Sequence, residues 1–172
     1  MTHDTNADSP AAHPRSRRFV LAAVAGGIHT GITLYWAIGG RALLWTMGDA
    51  FIVKFASVMW ILYPLAAVKA VGAFGPLWLQ SRQWQPSRSL ARLVYWCASG
   101  VLLVWGGLNT VVSNLVLFGI VRPSAGYDRP VMIGHAWIWD PLFVVWGLGL
   151  LLGLTRTRTA SNRQANILAP LI

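Results

Sequence analysis

Asp140 is the residue whose presence most needs a chemical reason. It lies inside Val131–Leu154, an apolar run long enough to cross a bilayer, where a carboxylate costs about 2.5–3.5 kcal/mol. Such a group must be paired, protonated or put to use. His135 stands five residues earlier on the same run, His29 near the middle of a first apolar run, and Asn109, Thr110, Ser113 and Asn114 on a third. Imidazole exchanges protons near neutral pH, and beside a carboxylate in a low dielectric it makes a workable proton-transfer pair. His135 and Asp140 are therefore the candidate acid–base residues. His29, Tyr35, Trp36, Asn109, Asn114 and Trp139 are the candidate ligand-binding residues, because they place polar or aromatic groups in the same half of the run that carries them.

Two other uses of these residues compete. His29 and His135 could be axial ligands of a b-type haem, since two histidines on different helices of a four-helix bundle can serve in this way. Their depths differ by roughly 10 Å on straight helices, which weighs against it. The polar set could also be structural, with interhelical hydrogen bonds of about 0.6 kcal/mol each fixing the register of the bundle. Helical phase bears on the choice. At 3.6 residues per turn His29, Thr33 and Trp36 share a stripe, whereas Asp140 falls about 140° from His135. A regular helix cannot pair those two, so the partner expected for Asp140 is on a neighbouring helix: His29, Asn109 or Lys54.

The elements that carry these residues follow from the spacing of charge. The chain has 172 residues, 55% hydrophobic and only 11% charged, with a mean hydropathy of +0.53. Its arginines and lysines flank long uncharged runs, the pattern of bilayer-spanning helices. The expected fold is all-α: an integral membrane bundle of four transmembrane helices at about 19–40, 52–74, 93–118 and 131–154. Residues 1–18 read as a disordered basic lead and 155–172 as a tail. Arg15, Arg17, Arg18, Arg82, Arg88, Arg92, Arg156, Arg158 and Arg163 fall on one side, against Arg41, Lys54, Arg122 and Arg129 on the other. The positive-inside rule then puts both termini and the loop between helices 2 and 3 in the cytoplasm, and the polar set in the outer half. Lys54 and Lys69 read as residues near the ends of helix 2 that snorkel to the headgroups, and Pro64 as a kink in its middle.

Packing is expected to use small residues, with Gly27 and Gly31 on helix 1 and Gly149 and Gly153 on helix 4 as candidate inward faces. Trp45, Trp78 and Trp84 suit an interfacial belt, while Trp36, Trp60, Trp105, Trp139 and Trp146 lie deeper. Cys97, the lone cysteine, excludes CxxC redox chemistry and reads as a small buried packing residue. Basic residues that flank apolar runs do not make a nucleic-acid surface, and the motifs of P-loops, GxSxG elbows and HExxH zinc sites are absent from the sequence. The expected partners are the lipid bilayer, a lipid-soluble small molecule, and a second copy of the chain or a larger membrane complex. No cofactor is identified, and no metal set is expected.

His29-Thr30-Gly31-Ile32-Thr33-Leu34-Tyr35-Trp36-Ala37-Ile38-Gly39-Gly40 and Gly134-His135-Ala136-Trp137-Ile138-Trp139-Asp140-Pro141-Leu142-Phe143 resemble segments of a family of small four-helix bacterial membrane proteins, commonest in actinobacteria. The resemblance covers about residues 19 to 154 and implies the four-helix architecture. That family has no assigned reaction, so the resemblance implies none here.

Overall fold

The computed structural model describes residues 16–81 and 90–168. Arg82, Trp84 and Arg88, and the lead up to Arg15, lie outside the described residues. Within them the chain is helical and has no strand. Four stretches, Arg18–Ala37, Ala56–Gln80, Leu90–Leu117 and Arg129–Thr155, are long and apolar enough to cross a membrane.

Helix α1 spans Ser16–Ala37 and stops at a turn through Gly39, whose φ of 92° suits only glycine. A short 3-10 turn, Leu44–Met47, leads through Gly48, at φ 83°, into α2, Asp49–Phe55. The expected helix 2 is therefore not one rod. After α2 the chain forms a 3-10 stretch, Ala56–Ile61, with non-helical dihedrals at Val58, and only then α3, Leu62–Ser81. Pro64 accounts for the position of the break: it has no N–H for the Trp60 carbonyl and its ring would clash with it, so regular helix cannot continue backwards from there. The kink thus precedes Pro64 rather than bending a helix about it.

Helix α4 spans Leu90–Leu117. The last span begins as α5, Arg129–Gly134, capped by Asp128, whose side chain accepts from the Val131 amide, with Pro130 in the first turn. A π turn, His135–Trp139, follows, and α6 continues from Asp140 to Leu168. The cause of the π turn is again a proline. Pro141 cannot bond the Trp137 carbonyl four residues back, and the wider i→i+5 turn absorbs the misfit.

The helices pack in the order α3, α1, α6, α4: α1 lies along α3 and α6, and α6 along α4, with no comparable packing of α3 on α4. Near the start of α1 the bundle is filled by Phe19, Ala22 and Ala25, with Ala73, Tyr95, Trp146, Leu150 and Leu154 from the other three helices. Tyr95 donates to the Val71 carbonyl, tying α4 to α3 at this end, and Ser99 donates to the Gly147 carbonyl, tying α4 to α6. Small residues do make the closest approach, as expected for helices in lipid, but only on some faces. A Cβ at Gly149 would lie 2.6 Å from the Ala22 backbone nitrogen, and one at Gly153 would strike the Phe19 ring. On α1 half of the expected pair faces inward: a Cβ at Gly27 would lie 3.1 Å from the Phe74 ring on α3, whereas Gly31 faces open space, and the tightest approach is at Gly26, whose Cβ would lie 2.7 Å from both Ala73 and Trp146. Cys97 is exposed rather than buried, and so are Trp60 and Trp105.

Gly149→Ala is predicted to lower the thermal midpoint in detergent, because the Ala22 backbone has to move, at a cost of about 1–3 kcal/mol. Gly31→Ala is predicted to leave the midpoint unchanged or raise it, by up to about 1 kcal/mol of helix propensity.

Candidate functional site

The site is built on the π turn. Asp140 is fully buried, and its Oδ2 lies 2.6 Å from Nδ1 of His135. The expectation that these residues cannot meet assumed a regular helix. A π turn closes after five residues, so His135 and Asp140 come to lie one above the other. The carboxylate only accepts, so Nδ1–H of His135 donates and Nε2 is left outside the pair. Asp140 is sealed, while about a third of the His135 side chain is exposed. The imidazole therefore links a buried carboxylate to the surroundings of the bundle.

Opposite this pair stands a residue that the sequence reading set aside. Lys69 lies 3.1 Å, Nζ to Nδ1, from His29 and donates to Oγ1 of Thr33 at 2.9 Å. Because α3 runs on to Ser81, Lys69 is seven residues from one end and twelve from the other, roughly 10 Å and 18 Å along the axis. That is too deep to snorkel as expected. Its place in the site was hidden by ending helix 2 at residue 74, and the one available signal was its distance from any other charge in the run. An ammonium has donors and no acceptor, so Nδ1 of His29 accepts and Nε2 carries the proton. Thr33 in turn donates to the His29 carbonyl at 2.9 Å.

Between these groups lies a cavity of about 310 Å³, at the small end of the range for ligand pockets. Lys69, His29, His135 and Asp140 contribute its polar wall, and Phe51, Met59, Leu65, Trp105, Trp139 and Phe143 much of the apolar remainder. The His29 ring is stacked on Phe143, with centroids 4.3 Å apart. Nε2 of His29 and Oδ1 of Asp140 are buried without a hydrogen-bond partner, and an unpaired buried polar atom costs about 1–3 kcal/mol.

Two indoles hold a roof over the cavity. Trp36 donates from Nε1 to the Ala42 carbonyl, and Trp139 to Oγ1 of Thr46, both at 2.9 Å. The rings meet edge to face at 5.2 Å. Leu44 and Met47 of the roof line the cavity beneath.

His29, Trp36, Trp139, His135 and Asp140 are thus brought together, and three other candidates are not. Tyr35 is exposed and accepts from the Ala42 amide through its hydroxyl. Asn109 and Asn114 bond the carbonyls four residues back on their own helix, Trp105 and Thr110, and neither lines the cavity. Asn109 instead borders a groove on the surface of α4 with Gly100, Val104 and Leu108. A polar residue in a lipid-facing helix can satisfy its own donors in this way, so depth alone did not place them in a site. Lys54 is exposed on α2 and is not the partner of Asp140.

No protein-family model, curated protein or solved structure matches the chain.

A double-mutant cycle of His135→Ala and Asp140→Asn is predicted to give a coupling of about 1–3 kcal/mol in unfolding free energy. Additive effects of the two substitutions would mean that the residues do not pair.

Proposed function

We propose that this chain is a multi-pass protein of the bacterial plasma membrane, with both termini cytoplasmic, whose outer half binds a lipid-soluble small molecule. The observation that carries the proposal is the cavity itself: an apolar chamber whose wall holds an ammonium, a carboxylate and two imidazoles, two of these groups with unsatisfied atoms. A polar layer serving only as structural glue is expected to satisfy its own atoms and close the space between them. Orientation rests on the count of basic residues on either side of the spans. In that orientation the roof of residues 38–48 faces outward, and His135 relays protons between the outer side and Asp140.

A b-type haem is the weaker reading. A histidine ligates iron through a nitrogen lone pair, and the Lys69 ammonium at Nδ1 of His29 puts the proton on Nε2.

The test is the composition of the protein as purified from membranes in mild detergent. Solvent extraction and mass spectrometry are predicted to find one small molecule in near-stoichiometric amount with the wild type. Leu65→Trp, which fills the cavity from α3, is predicted to deplete it several-fold, as expected when a pocket loses its volume. Identical extracts of bulk lipid from both proteins would favour a non-catalytic scaffold or accessory subunit.

A further inference from the structure

Among the described residues Lys69 is a cation with no anion beside it. The chain has only five carboxylate side chains, and among the described residues the single ion pair is His135–Asp140. Among the described residues no carboxylate lies within 4 Å of the Lys69 nitrogen. Its two bonds, to His29 and Thr33, are to neutral partners, which leaves one of three N–H groups for something else. An isolated ammonium in an apolar chamber is costly, and Asp140, the only carboxylate on the cavity wall, is engaged by His135 on its other side.

Size and access narrow the occupant further. A volume of about 310 Å³ holds roughly ten water-sized groups, enough for a small head and the first part of a chain but not for a two-tailed lipid. The cavity is also not closed around its whole circumference. Lys69 and Leu65 on α3 and Trp105 on α4 all line it, yet α3 and α4 are not packed along each other. Tyr95 bridges them at Val71, two residues beyond Lys69 on the side away from Leu65. Leu65 and Trp105 remain exposed on the outside of this seam, so a chain too long for the chamber has a way out into the hydrocarbon.

Resting on the reading of the cavity as a ligand pocket, we infer that its ligand is a single-tailed amphiphile with a carboxylate head seated on Lys69. The tail leaves between α3 and α4. One free N–H on one cation suits a monoanion, whereas a phosphate head brings up to two charges and more acceptors than this wall can meet. Oδ1 of Asp140 and Nε2–H of His29, an acceptor and a donor without partners, belong to residues of the same cavity wall.

The test compares dodecanoate, dodecanol and dodecylamine, which share a tail, by native mass spectrometry of the full chain released from detergent. Wild type is predicted to retain dodecanoate about tenfold more strongly than the other two, the range of one charge-assisted contact. Lys69→Met is predicted to abolish the preference and leave dodecanol within about twofold, while Lys69→Arg keeps the preference, which separates loss of charge from loss of fold. Equal retention of dodecanoate and dodecanol by wild type, with both displaced in Leu65→Trp, would overturn the carboxylate head and leave the pocket standing. Preferential retention of dodecylamine would overturn it in favour of Asp140 as the anchor. Absence of saturable binding for all three, unchanged in Leu65→Trp, would count against the pocket itself.

Discussion

A carboxylate buried inside a helix long and apolar enough to cross a membrane has no water to stabilise it, and the arrangement of this bundle around Asp140 follows from that constraint. The partner comes from the same helix, and reaching it takes a change in helical geometry. Pro141 removes one backbone bond, the π turn His135–Trp139 takes up the slack, and Nδ1 of His135 arrives 2.6 Å from the buried oxygen. The same turn directs Trp139 inward, where its indole reaches the roof at Thr46 and its ring packs against Trp36 and His29. One backbone irregularity thus sets the His135–Asp140 pair, the roof and one wall of the cavity.

The rest of the cavity arises from what does not pack. Helix α1 serves as the shared surface for α3 and α6, and α4 joins only α6 along its length. At one end the interior is filled by aromatic and aliphatic side chains and closed by close approach of Gly149 and Gly26. At the other end the break before Pro64 swings Phe51 and Met59 across the top of a space that α3 and α4 do not seal. Dense packing and an unfilled chamber thus occupy opposite ends of one short bundle. The division bears on the proposed function, because His29, Lys69, His135 and Asp140 all line the unfilled chamber.

Much of this was legible in the residues. Uncharged runs bounded by arginines locate four helices because only helix satisfies its own backbone in lipid, and His29, Trp36, His135, Trp139 and Asp140 stand out as polar or large groups at depth. The pairing of His135 with Asp140 was not legible from a 3.6-residue period, although Pro141 was the sign that the period would fail. Lys69 was masked by the misplaced end of helix 2: a lysine five residues from a helix end is ordinary, and the same lysine at the centre is not. Asn109 and Asn114 show the opposite error. Their depth resembled that of a site, but each bonds a carbonyl of its own helix, an option that sequence spacing cannot distinguish from a contact across the bundle.

The most direct measurement is a high-resolution density map of the protein in native membrane nanodiscs, prepared without detergent exchange. The account predicts elongated non-protein density with its head against Lys69 and its body passing between Leu65 and Trp105, and the His135–Asp140 pair intact above it. A collapsed chamber, with Lys69 moved onto Asp140 and the seam between α3 and α4 closed, would contradict it.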